Sequence, residues 1–256
     1  MIRAPLFVAA LTGILCLAAP LAAAPDPLPG FSAPTEITNI HAPFTPDSVK
    51  IFFGRSEGTR TVTLERQTEQ TRLFHHEGKL VEARVMLESE FVDGELVEIT
   101  THYLAQDDAG NVRYFGEVAV EYDGGVVVGT EPDSWVVDGP SPGDDPAGVH
   151  VVRNPAMYMP ATLEVGTTFD MESIPGESEL ITVVATDAHV VTPAGEFHQV
   201  VQLQEDGEDD PDIVIEYRYV AAGVGAVKEV APSKRSVLVA TSFSDLHLGL
   251  EASRER

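Results

Sequence analysis

Residues 81–103 read VEARVMLESEFVDGELVEITTHY, and this stretch decides the fold class. Val81, Ala83, Val85, Leu87 and Phe91 alternate with Glu82, Arg84, Glu88 and Glu90, the period of two expected from a strand with one wet face. Asp93-Gly94 interrupts the alternation. Val97, Ile99, Thr101 and Tyr103 resume it against Glu98, Thr100 and His102. Asp-Gly between two alternating runs specifies a hairpin, because both central positions of the tight turn need positive φ.

Outward from this hairpin the same pattern recurs. Val112, Tyr114, Val118, Val120 and Tyr122 mark a strand that Asp123-Gly124-Gly125 turns. A run from Leu180 to Val191 enters the turn Pro193-Ala194-Gly195 and leaves along Phe197 to Gln204. Ile213, Ile215, Tyr217 and Tyr219 alternate with Glu216 and Arg218, Gly223-Val224-Gly225 breaks into Ala226 to Val230, and Ser236 to Phe243 is a last apolar strand. No segment carries a sustained 3.6-residue period between caps. The prediction is an all-β fold: a large curved antiparallel up-and-down sheet or half-barrel. It forms a single domain over residues 48–250, with a loop dense in proline, glycine and aspartate at 138–148.

The amino-terminal region reads differently. Arg3, an apolar run from Leu6 to Leu21 and the small residues Ala22-Ala23-Ala24 have the layout of a secretory signal over residues 1–23. Its cleavage leaves no transmembrane segment and predicts a secreted or periplasmic protein. Cys16 is the single cysteine, so the mature chain has no disulfide, thiolate metal site or cysteine nucleophile. Residues 24–47 carry Pro25, Pro27, Pro29, Pro34, Pro43 and Pro46 and predict a flexible, extended leader.

Of the 256 residues, 16 are basic and 41 acidic, a formal charge of −25. Such a surface repels nucleic acid and anionic membrane. It either keeps an exported protein soluble or concentrates cations such as calcium.

Few motifs carry chemistry. Gly139-Pro140-Ser141-Pro142-Gly143 matches G-x-S-x-G, but no helix follows to make a nucleophile elbow. His75 and His76 are adjacent on a predicted strand and point to opposite faces. His102, on the polar face of its strand, and His198, next to the core-facing Phe197, read as surface histidines. The acidic loop from Glu205 to Asp212 imitates alternate calcium ligands at Asp206, Glu208, Asp210 and Asp212, but Pro211 stands where a calcium loop needs glycine. The shorter loop Asp107-Asp108-Ala109-Gly110-Asn111 suits a tight hairpin connection. It is also the candidate Ca2+ site, with Asp107, Asp108, Asn111 and Glu117 as ligands. Tyr114 and Glu117 are three positions apart and face opposite sides of a regular strand. No carboxylate pair stands out for glycoside hydrolysis.

Residues 101–117, THYLAQDDAGNVRYFGE, resemble a segment of uncharacterised secreted bacterial proteins that reads Y-A-Q-D-x-x-G-N-V-W-Y-F-G-E. Val191 to Phe197 is similar to the V-x-x-P-A-G-x-F turn of the same group, and Tyr219 to Lys228 to its Y-Y-A-P-G-V-G-x-V-K segment. The likeness spans about residues 80 to 230. Arg113, Val200 and Ala222 depart from it, standing where tryptophan, cysteine and proline are common. The resemblance implies a secreted or periplasmic protein with a curved sheet like the half-barrels of lipoprotein carriers; it implies no known activity and carries no catalytic residue over to this chain.

Three functional readings follow. The first is an exported, non-enzymatic protein that binds an apolar or amphipathic ligand, or an envelope component, on the concave face of its sheet. The second is a calcium-stabilised extracellular or envelope structural protein. The third is a hydrolase without a recognisable motif.

Overall fold

A computed structural model describes residues 30–138, 148–207, 216–231 and 234–242. The signal at 1–23, the leader residues 24–29, the G-x-S-x-G match and the acidic stretch 208–212 lie outside the described residues. All regular elements among the described residues are strands. The first series is β1 Val49–Ser56, β2 Thr59–His76, β3 Lys79–Val92, β4 Glu95–Gln106 and β5 Val112–Asp123. Five short strands follow: β6 Val126–Thr130, β7 Trp135–Val137, β8 His150–Val152, β9 Ala156–Met159 and β10 Thr168–Asp170. The second series is β11 Glu179–Thr192, β12 Gly195–Gly207, β13 Glu216–Ala221, β14 Gly225–Val230 and β15 Lys234–Thr241.

All belong to one open sheet. Its order is β10-β11-β12-β13-β14-β15-β1-β2-β3-β4-β5-β7-β8, with β6 and β9 also paired to β5. Neighbours are antiparallel except β7 and β8. The two meanders are joined at the middle of the sheet, where β1 pairs with β15. The all-β, curved, antiparallel fold is therefore as the alternation predicts.

Turn chemistry explains the first meander. Asp93 and Gly94 have φ of 49° and 92°, the pair of positive values the Asp-Gly turn requires. Glu57-Gly58 and Glu77-Gly78 do the same work between β1 and β2 and between β2 and β3, with φ of 51° and 86°, and 51° and 76°.

The larger apolar cluster draws from both halves of the sheet. Phe74, Tyr103, Phe115 and Trp135 from the first half pack with Ile181, Val183, Leu203 and Val220 from the second. A flat sheet cannot bring those residues together, so the sheet curls on itself and buries one end of its concave side. A smaller cluster of Phe52, Val190, Phe197, Val200, Val227 and Leu238 lies over β1 and β11–β15.

The leader needs correction. Residues 30–47 form no strand before Val49, but they are packed rather than flexible. Ile37 is buried, and Phe31, Ala42 and Phe44 lie against the core. Prolines keep this segment from forming a regular ladder strand, and both backbone and side-chain groups of the sheet satisfy its backbone: Gln106 N donates to Pro34 O at 2.8 Å and Asp108 N to Gly30 O at 2.7 Å. Gln106 Oε1 accepts from the amides of Thr38 and Asn39 at 2.8 and 2.9 Å. Gln67 accepts from Thr45 N at 2.6 Å and donates to Pro43 O at 2.9 Å.

Candidate functional site

The Asp107–Asn111 loop holds its own structure together. Asp107 Oδ1 accepts from the amides of Ala109 and Asn111, both at 3.0 Å, and from Asn111 Nδ2 at 3.1 Å. Its Oδ2 accepts from Asn111 Nδ2 at 2.9 Å and from Arg113 Nε at 2.8 Å. The Asp107 side chain is 0 % exposed. A carboxylate has about four acceptor sites, and donors fill these; the Arg113 guanidinium supplies the positive charge a cation would bring. Asp108 serves the leader, accepting from Ser32 N at 2.7 Å and Ser32 Oγ at 3.1 Å. Asn111 Oδ1 accepts from Ala161 N at 2.9 Å. Arg113 is thus the ionic partner of this loop.

Glu117 does not join that group. It lies five residues beyond Val112 along β5, about 16 Å at the rise of an extended strand. There it meets Tyr114, contrary to the opposite-face expectation. Leu104 pairs with Tyr114 and Tyr103 with Gly116, so Phe115 is an extra residue in β5. This bulge shifts the alternation by one and puts Tyr114 and Glu117 on the same face. Gly116 makes it feasible: its φ is 128°, and a Cβ there would lie 2.2 Å from the carbonyl oxygen of Trp135 on β7.

The result is a hydrogen-bonded chain. Tyr114 Oη donates to Glu117 Oε2 at 2.6 Å, and His102 Nδ1 contacts the same hydroxyl. His102 is not a surface histidine; its side chain is 13 % exposed and stacks on Tyr114. Since the hydroxyl gives its one proton to Glu117, it accepts from Nδ1–H. Burial lowers the pKa of His102 although Glu117 raises it, so the ring is neutral. Nε2 is then an acceptor, and among the described residues it is buried without a hydrogen-bond partner. Burial, followed by the charge of Glu117, raises the pKa of Tyr114 well above the ordinary value. Its phenol therefore keeps its proton at neutral pH.

These three side chains line a cavity of about 470 Å³ on the concave side of the sheet. Its other walls are strongly acidic. Glu65 comes from β2, Glu88 and Glu90 from β3, Glu179 from β11, Glu205 from β12, Glu216 from β13 and Glu229 from β14. With Glu117 these are eight carboxyls, against the two cationic lining residues Arg218 and Lys234. Arg218 reaches Glu205 at 3.3 Å and Glu229 at 3.6 Å, while Lys234 reaches Glu229 at 3.4 Å and Glu216 at 3.6 Å. Glu65 has its own cation in Lys50, at 2.7 Å.

The remaining carboxyls repel each other. Glu88 is directly opposite Glu65 in the ladder, and burial, then the charges of Glu229 and Glu65, push its pKa up to about 8. Burial and Glu205 push Glu179 up to about 8. Burial also raises Glu90 and Glu216. Glu229 goes the other way: against its own burial, Arg218 and Lys234 hold it below the usual range. A small recess of about 40 Å³, walled by Met86, Leu104, Met159, Leu203 and Val220 and by the Lys50–Glu65 pair, adjoins the same cavity through Met86, Tyr158 and Arg218.

No protein-family model matches the chain, and no curated protein does. Two solved structures share its outline. One is a Bacteroides fragilis protein described as exported and of YmcC-like fold, with 14 % identity and a TM-score of 0.44 over 79 % of this chain and 99 % of that one. The other is a Parabacteroides distasonis protein described as a lipoprotein, with 10 % identity and a TM-score of 0.40 over 79 % and 98 % of the two chains. At that level of similarity neither bears on function.

Proposed function

We propose that this chain is an exported binding protein whose concave cavity takes an organic cation bearing several N–H groups. The observation that carries it is the lining: eight carboxyls face two cationic side chains, and two of those carboxyls are driven up to about 8. The signal-like residues 1–23 support export, as does the likeness of residues 101–117 to secreted bacterial proteins. A wholly apolar ligand does not fit this lining, because it would strip water from polar groups that it cannot hydrogen-bond. The adjoining recess accommodates a short apolar portion, which leaves the amphipathic form of the expectation in place with a cationic head. An extended amine suits the site better than one metal ion. Among the described residues, no three acidic groups of the cavity bring oxygens within 4.8 Å of one another.

Spermidine is the probe. Titrated calorimetrically into the protein at pH 7 and low salt, it binds, and it releases protons as Glu88 and Glu179 ionise. The measured heat therefore changes between buffers of different ionisation enthalpy. The double variant E88Q/E179Q binds at least tenfold more weakly. A ligand that binds only the native state must also raise the melting temperature. Unchanged melting at millimolar spermidine, with dodecanoate raising it instead, overturns the cationic reading in favour of an apolar one.

A further inference from the structure

The hairpin of β11 and β12 brings three side chains together across its two strands. His189 Nε2 lies 2.7 Å from Glu196 Oε1, and His198 Nε2 lies 3.4 Å from the same oxygen. The ligand atoms of all three fall within 4.8 Å of one another. Their placement follows from the ladder. Val190 pairs with Phe197 and Ala188 with Val200, so His189 faces both His198 and the extra residue Gln199, whose φ is 52°. Glu196 and His198 are two apart on one strand and share a face. Beneath them Val190, Ala194, Phe197 and Val200 are buried in the smaller core cluster, which fixes the backbone that carries the three.

We propose that His189, Glu196 and His198 form a binding site for a divalent transition-metal ion of the zinc or copper type. Two imidazole nitrogens and one carboxylate oxygen are the donors such ions take, whereas calcium takes oxygens alone. Three ligands at about 2.0–2.2 Å from a tetrahedral ion stand roughly 3.3–3.5 Å apart; His198 and Glu196 already have that spacing at 3.4 Å, and His189 must move out from its 2.7 Å contact with Glu196. The two rings lie parallel, 4.6 Å between centroids. Both are exposed, so small side-chain rotations direct both Nε2 atoms at one point, and solvent water completes the coordination. The acidic surface raises the local concentration of cations at this site. The site is independent of the concave cavity, and its ligands do not line it.

Calorimetric titration of zinc chloride into the untagged full chain, in a buffer that does not chelate, tests the site. One ion binds per chain, and H189A/H198A weakens binding more than tenfold with an unchanged circular-dichroism melt, since neither residue is buried. E196Q weakens it less. Copper bound to the wild-type protein shows two nitrogen couplings in its electron paramagnetic resonance spectrum. Millimolar calcium leaves the zinc affinity unchanged, and E88Q/E179Q binds zinc as the wild type does. Equal zinc affinity in the wild type and H189A/H198A, displacement by calcium, or a copper spectrum without nitrogen couplings each overturns the proposal.

Discussion

The two ends of the β4–β5 hairpin hold carboxylates in opposite circumstances. At the tip, Asp107 is fully buried yet has a donor for every acceptor site and Arg113 for its charge. Further along the same strands, Glu117 shares a cavity with seven other glutamates and two cations. Burial alone therefore says little about what an acidic residue does. A carboxylate whose partners are supplied by its own loop is part of the scaffold; carboxylates that face each other across a cavity are available to a ligand.

The sharpest way to break this comparison is D107A. Removing one partner of a buried ion pair leaves Arg113 and several amides without an acceptor, and costs about 3–5 kcal/mol. Urea unfolding monitored by circular dichroism measures it. Calcium and chelator leave the wild-type midpoint where it is; a calcium-dependent midpoint would return the loop to the role of a cation site.

G116A attacks the bulge that creates the other end. A left-handed φ costs a non-glycine residue about 1–3 kcal/mol, and the added Cβ meets the Trp135 carbonyl and the Val136 backbone at 2.2 and 2.6 Å. Destabilisation comes with a red shift in the fluorescence of Trp135, the single tryptophan. Wild-type stability and emission in the variant would mean that the bulge does not hold Tyr114 and Glu117 together.

E88Q has the smallest effect and reports on the cavity itself. Glu88 titrates at about 8 in the folded protein and near 4.5 ordinarily, so the folded state binds more protons between those values. Stability accordingly falls as pH rises from about 4.5 to 8. Glu179 acts in the same sense, and Glu229 in the opposite one. E88Q removes its share, so the melting temperature of the variant declines less across this range and exceeds the wild-type value at pH 8. Identical pH profiles for the two proteins would show that Glu88 is not held among like charges.

Local patterns were readable and non-local ones were not. Asp93-Gly94 announces its hairpin because the turn needs only its own two residues. Glu57-Gly58 and Glu77-Gly78 make the same turn but escape notice, since glutamate is a poor indicator of positive φ and the neighbouring strands impose it. The proline-rich leader reads as flexible because its anchors, Gln67, Gln106 and Asp108, lie far along the chain. The Tyr114–Glu117 contact is hidden by one extra residue, and that residue is tolerated only because β7 packs against Gly116.

Alternation of apolar and polar residues, with turn residues between the runs, determined that this is a sheet protein of curved antiparallel strands, since pleat and turn depend on neighbours in sequence. The chain by itself also determined that it is acidic and carries one cysteine. Where the charge accumulates was decided only in three dimensions. Pairing of β1 with β15 joins the two meanders, and the curl of the sheet sets Glu65, Glu88, Glu90 and Glu117 facing Glu179, Glu205, Glu216 and Glu229. Glu88, Glu90 and Glu216 read in sequence as the wet side of a strand, and Glu205 as part of an acidic loop. Curvature turns the wet sides toward each other, and so makes a cavity out of what the strands alone would present as surface.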